Sequence, residues 1–215
     1  MLKNETEYVL LKTVVGLIET NCYIFWDKKR LDAAVIDPGG HSYEIIKIIK
    51  HNQLKVKKII NTHGHADHIA ANSEIQEFTK AKILINPYDK EMLKDPVKNL
   101  SEGFGMPIIS ADNEGELLDN ETISIGDLDL KIITTPGHTQ GSVCLFCERL
   151  GILFSGDTLF AGSIGRTDLP KGNYNNIISN IKQKLLVLPE DTKVFPGHGP
   201  ETSIGIEKRE NNFLV

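Results

Sequence analysis

The spacing of apolar and polar positions changes along this chain, and the changes mark out alternating strands and helices. Tyr8 to Val15, Asn21 to Trp26 and Asp32 to Asp37 are apolar or β-branched runs between turn residues and read as three strands. Asp37-Pro38-Gly39-Gly40 stops the third sharply. Ser42 then caps a helix over Tyr43 to Lys50, whose apolar face is Ile45, Ile46, Ile48 and Ile49. A buried strand over Val56 to Asn61 follows. After it come a helix over 69–79, with Ile75 and Phe78 on its apolar face, and a short strand from Ala81 to Ile85. Strand, helix, strand, helix, strand is an α/β order.

Residues 86–119 are less regular, with a short helix around Asp89 to Lys94 and a loop at Gly103-Phe104-Gly105-Met106-Pro107 that carries an exposed aromatic. Such a segment either covers a substrate pocket or is a connecting excursion. Beyond it, Thr122 to Ile125, Leu128 to Thr134, Ser142 to Phe146, Ile152 to Phe154 and Thr192 to Phe195 read as strands, with glycine turns at Gly126 and Gly151. Asn173 to Val187 reads as a helix with Ile177, Ile178, Ile181, Leu185 and Leu188 inward, and Ser203 to Glu210 as a terminal helix. Two α/β halves, each with a mostly antiparallel sheet, point to a four-layer αββα sandwich within one domain over 1–215.

The candidate chemistry lies in the turns. Asn61-Thr62-His63-Gly64-His65-Ala66-Asp67-His68 sits between a strand and a helix and packs three imidazoles and a carboxylate into six positions. Gly64 and Ala66 add no bulk, so the chain can bend and aim alternate side chains at one point. His63 and His65 can converge on one cation, and Asp67 and His68 are better placed for a second beside it. Imidazole and carboxylate are what a borderline divalent cation takes. Three more strand ends carry ligand-type residues in glycine turns: His138 in Thr135-Pro136-Gly137-His138-Thr139, Asp157 in Ser155-Gly156-Asp157-Thr158, and His198 in Pro196-Gly197-His198-Gly199-Pro200. His41 and His51 flank a helix and read as solvated.

Composition narrows the function classes. The chain has 215 residues, 40% hydrophobic and 25% charged, as in a globular protein with a sizeable core. Net charge is −5 and the one basic run is Lys28-Lys29-Arg30, so a partner bound through nucleic-acid phosphates is not expected. The apolar run from Tyr8 to Ile18 is too short to span a membrane and is no signal peptide. Three cysteines make no disulfide framework. Cys144 and Cys147 are three apart on a strand and so face opposite sides as buried thiols, which fits a reducing cytoplasm.

Thr62-His63-Gly64-His65-Ala66-Asp67-His68, followed in order by His138, Asp157 and His198, resembles the metallo-β-lactamase superfamily over nearly the whole chain. Gly137-His138-Thr139-Gln140-Gly141-Ser142, Phe154-Ser155-Gly156-Asp157-Thr158-Leu159-Phe160 and Gly165-Arg166-Thr167-Asp168 are similar to its hydroxyacylglutathione hydrolase (glyoxalase II) branch. The resemblance implies the αββα fold, with metals at one edge of the paired sheets. It implies one metal on His63, His65 and His138, a second on Asp67, His68 and His198, and Asp157 bridging. Two divalent ions are expected, zinc first, with iron or manganese able to take the same donors. A carboxylate has two oxygens and can bridge. Two cations sharing a water would bring its pKa to about 7 or below, giving a hydroxide that attacks a thioester. Asp67 would orient that water, and Asp37 and Thr139 would steady ligand rings or loops.

The expected substrate is a small-molecule thioester. Residues 199–215 offer no counterpart of the C-terminal helical domain that contacts glutathione in glyoxalase II, and Thr167 and Asp168 stand where its substrate loop has aromatics. Arg166 either binds a substrate carboxylate or pairs with Asp168 to stiffen the loop. Rival readings are a persulfide dioxygenase with one iron on His63, His138 and Asp157, a hydrolase of another ester, thioester or lactone, and a non-catalytic metal-dependent binder. A β-lactamase has no feature here beyond the fold, and a nuclease is disfavoured by the acidic balance. The oligomeric state is not legible.

Overall fold

A computed structural model describes residues 7–215 and contains two six-stranded sheets laid face to face. The first sheet runs in order β1 (Tyr8–Val15), β2 (Thr20–Asp27), β3 (Asp32–Ile36), β4 (Lys55–Ile60), β5 (Lys82–Ile85) and β6 (Gly115–Glu116). Against its outer face lie helices α1 (Ser42–His51), α2 (Ala66–Ile69) and α3 (Asn72–Thr79). The second sheet holds β7 (Thr122–Ile125), β8 (Leu128–Thr134), β9 (Val143–Cys147) and β10 (Ile152–Gly156). A small hairpin, β11 (Leu159–Phe160) and β12 (Ser163–Ile164), leads on. Strand β13 (Lys193–Pro196) and the edge strand β14 (Thr202–Ser203) complete the second sheet, and α4 (Tyr174–Asn180) and α5 (Ile204–Glu210) cover its outer face.

Side-chain alternation builds the layers. Along β2, Tyr23 and Phe25 point between the sheets, while Cys22, Ile24 and Trp26 point at the helices. On β10, Phe154 faces inward and Leu153 outward. Tyr23, Phe25 and Phe195 surround the Phe154 ring, with centroids 5.3, 6.3 and 5.8 Å away. Ile45, Ile49 and Ile75 close one outer layer, and Ile177, Ile181, Leu185 and Ile204 the other. Cys144 and Cys147 are buried and free, on opposite faces of β9.

Five expectations need correction. The first sheet is antiparallel only from β1 to β3; β3, β4, β5 and β6 run parallel. Helical crossovers, not hairpins, join β3 to β4 and β4 to β5, and a crossover returns the chain in the same direction. The helix over 69–79 is two helices. The Ala71 N–H donates to Pro38 O at 2.9 Å, and buried Asn72 exchanges amide hydrogen bonds with Asn61, so the break ties the helix to the end of β4. Phe78 is 43% exposed, with the Lys50 ammonium over its ring, rather than on the buried face. Finally, Ser42 is the first helical residue of α1. His41, left-handed at φ 48°, holds the cap position without a side-chain bond. The helix expected over 173–187 is α-helical through Asn180 and continues as a wider π turn over Ile181–Leu185.

The direction of the strands positions the site. Strands β3, β4, β8, β10 and β13 all end at one rim, where the sheets are joined by Val143 N–H donating to Thr62 O at 2.9 Å. Truncating the central ring, Phe154→Ala, is expected to cost about 3–5 kcal/mol of folding stability, read as a lower denaturation midpoint.

Candidate metal centre

The turn after β4 is held from both sides by buried carboxylates. Asp37, at the end of β3, accepts from Thr62 N at 2.7 Å and Thr62 Oγ1 at 2.6 Å. Asp89 accepts from Gly64 N at 3.0 Å, Thr139 Oγ1 at 2.6 Å and Gly141 N at 2.8 Å. One side chain therefore fastens the 63–68 turn to the His138 turn. Gly64 is not left-handed. What it provides is clearance, since a Cβ there would stand 2.6 Å from that of Met92. Asn61 Nδ2 donates to His68 O at 3.0 Å and closes the turn from below.

All seven expected donors meet at this rim. His65 Nδ1 lies 3.1 Å from His63 Nε2 and 2.9 Å from His138 Nε2. Asp67 Oδ2 lies 3.2 Å from His68 Nε2 and 3.1 Å from His198 Nε2. Asp157 stands between the two sets, with Oδ1 3.4 Å from His68 Nε2 and Oδ2 3.6 Å from both His138 Nε2 and His198 Nε2. His63, His65 and His138 form one group of donors within 4.8 Å of one another; Asp67, His68 and His198 form another, and His63, His68 and Asp157 a third.

The donor set fits divalent cations. His68 Nε2 and Asp157 Oδ1 are buried without a hydrogen-bond partner and lie 3.4 Å apart. Buried polar atoms left so are costly unless something else satisfies them. Of the opposite ring nitrogens, that of His138 is held from outside, while that of His68 faces the Asp37 carboxylate without a hydrogen bond. His138 Nδ1 donates to Arg166 O at 2.8 Å, leaving Nε2 free to ligate, and His68 Nδ1 lies 3.0 Å from Asp37 Oδ2. Thr20 Oγ1 donates to Asp67 Oδ2 at 3.0 Å. The His198 turn hangs from β2: Asn21 Nδ2 donates to Pro196 O and Gly199 O, each at 2.9 Å, and Tyr23 OH to Pro196 O at 2.7 Å. Gly197 packs so closely that a Cβ would overlap Asp157 Oδ1.

Burial and charge sort the imidazoles. Burial, with His68 and His138 nearby, holds His63 well below the usual imidazole pKa, and burial with His138 brings His65 down to about 3. Both are thus neutral, the ligating form. Burial also opposes a charge on His68, but Asp67, Asp37 and Asp157 outweigh it and raise that pKa. Asp67 is held ionised against its own burial by His68 and His198.

A cavity of about 770 Å³ opens on the centre, touching His65, Asp67, His138, Asp157 and His198. Segment 86–119 both covers it, through Val97, Asn99, Leu100 and Glu102, and braces the turns, through Asp89. The Phe104 side chain, expected to be exposed, lies outside the described residues. Arg166 reaches the cavity, but its guanidinium is held by Asp168 through two 2.8 Å bonds. Thr139 contacts Asp89 and Ser142, steadying its loop. Asp89, Asn21 and Thr20 were not found from the sequence. Each sits in an ordinary helix start or strand, and only the partner across the fold reveals its task.

Asp89→Asn leaves one acceptor oxygen for three donors. The expected result is metal affinity lower by roughly 10- to 100-fold, with stability lower by about 1–3 kcal/mol. Metal titration and thermal melts check both.

Comparison with known proteins identifies the family. The metallo-beta-lactamase superfamily profile matches residues 15–198. A Haemophilus influenzae protein named hydroxyacylglutathione hydrolase GloC is 36% identical, over 93% of this chain and 95% of its own. The crystal structure of BLEG-1 B3 metallo-beta-lactamase superposes with a TM-score of 0.92 at 35% identity, covering 96% of this chain and all of that one. That of TTHA1623 in a di-iron-bound form does so at 0.84 and 29%, covering 95% of this chain and all of that one. On the profile match and these relatives, the chain belongs to the metallo-beta-lactamase superfamily, whose members bind divalent metals, and is a metallo-hydrolase of that superfamily.

Proposed function

We propose that the protein hydrolyses thioesters in the manner of glyoxalase II, converting an S-2-hydroxyacylglutathione and water to glutathione and a 2-hydroxy acid. The observation that carries this is the pair of donor triads with the Asp157 carboxylate between them. The GloC relative supports the substrate class. His63, His65 and His138 would hold one ion, Asp67, His68 and His198 the other, and Asp157 both. Bound divalent cations polarise a carbonyl and lower the pKa of a water to about 7.

The residues supply the rest. Asp67 is ionised, lines the cavity, and is fixed by Thr20, so its carboxylate accepts a hydrogen bond from the attacking water and orients it. Arg166 O fixes the His138 ring, and Asp37 stands against that of His68. The C–O bond forms from the water oxygen, the C–S bond then breaks, and of the water's two protons one leaves with the thiol while the other is released to solvent as the acid ionises. No side-chain nucleophile is needed. The likeness to a B3 metallo-beta-lactamase supports a second reading, opening of a β-lactam amide in the same cleft.

Metal analysis of protein purified without added metal, followed by assays with S-lactoylglutathione and with a chromogenic cephalosporin, tests these readings. The expected result is about two metal equivalents and thioester hydrolysis that chelation abolishes. One iron without hydrolysis would transfer the chain to the dioxygenase reading. Asp157→Ala is expected to lose metal and to lower kcat/KM by roughly 100-fold or more. Arg166→Ala should chiefly raise KM if the guanidinium meets substrate, and change neither constant if it only stiffens the loop.

A further inference from the structure

A second cavity, of about 160 Å³, opens beside the first. Ile18, Ala66 and Asp67 line both, so the two form one cleft with a side lobe. The lobe is walled by Leu17 and Ile18 from the β1–β2 turn, Ala70 at the end of α2, and Met106 and Ile108. Leu17, Met106 and Ile18 are 79%, 53% and 47% exposed, so apolar surface here is left open at the mouth of the site. The wall at Ile108 is nonetheless fixed. Asn99 Nδ2 donates to Met92 O and Ile108 O, both at 2.9 Å, and Ile108 N donates to Ser101 Oγ at 2.8 Å.

The lobe offers a ligand little polarity. Ser101 is occupied by Asn99 and Ile108, and Asp67 Oδ2 by Thr20 and His198. Among the described residues, Arg166 is the one lysine or arginine lining either cavity, and Asp168 holds it; Glu102 adds an acid. Within the lobe, an arm bearing carboxylates therefore meets no lysine or arginine, whereas an aliphatic arm meets a prepared apolar wall.

Resting on the thioesterase reading, we propose that the lobe is a specificity subsite for an uncharged aliphatic arm of the substrate. The lobe is the smaller of the two cavities, so it takes a short chain. The arm can belong to the acyl group or to the thiol, and two substrate series separate these sources. In one, S-acyl-N-acetylcysteamines lengthen from acetyl to octanoyl; in the other, S-acetyl alkanethiols lengthen to the same extent.

In one of the two series, kcat/KM of the metal-loaded protein should rise roughly three- to fourfold per methylene and level once the lobe is filled. Leu17→Asp and Met106→Asp should flatten that slope, and Ala70→Met should move the levelling point to a shorter chain. Binding is read separately with S-hexyl-N-acetylcysteamine, a thioether with no bond to hydrolyse, which should shift the methyl resonances of Met106 and Ile108. Two flat series and unmoved methyls, with S-lactoylglutathione still hydrolysed, overturn the subsite and leave the thioesterase standing. Shifted methyls without hydrolysis of any thioester keep the subsite and overturn the thioesterase.

Discussion

A carboxylate taken out of water must be surrounded by donors, and the rim of this sandwich is built around two such groups. Asp37 and Asp89 are 2% and 1% exposed. Neither belongs to the proposed ligand set. Asp37 gathers the Thr62 backbone and hydroxyl within reach of the His68 ring, and Asp89 gathers Gly64, Thr139 and Gly141. The backbone gains a fixed shape because the charge has nowhere else to be satisfied. Burial alone pushes the Asp89 pKa up, and its three hydrogen bonds pull the other way. The imidazoles can converge because turns from both sheets are fastened first.

That division explains what the sequence discloses. The ten longer strands fall within a residue or two of their expected bounds, because apolar runs such as β2 are bounded by turn residues, whereas the two-residue strands β6, β11, β12 and β14 carry no run to read. Periodicity misjudges direction in the first sheet, since apolar spacing does not say whether a crossover or a hairpin follows. The helix over 69–79 was read through its break because Asn72 looks like any polar helix residue. Its partner, Asn61, lies on another element. The Phe78 face failed for a related reason: Ile75 and Phe78 at helical spacing suggest a stripe, but the short α3 needs only Ile75 to reach the sheet.

The site followed the same rule. Histidines in glycine turns after apolar strands are conspicuous, and all seven expected donors lie together. Asp37 and Thr139 were legible as neighbours of those turns. Asp89 and Asn21 were not, since their significance comes from partners more than twenty residues away. Arg166 was undecided between substrate and Asp168, and here it contacts Asp168. Its backbone carbonyl, invisible to any reading of side-chain types, is what meets His138.

Gly197 carries a different lesson. It has no reactive atom, yet the space where its Cβ would stand is taken by Asp157. In a saturation-mutagenesis survey this position would score as intolerant as a ligand, and a reader ranking positions by fitness alone would assign it a chemical duty. The intolerance belongs to excluded volume.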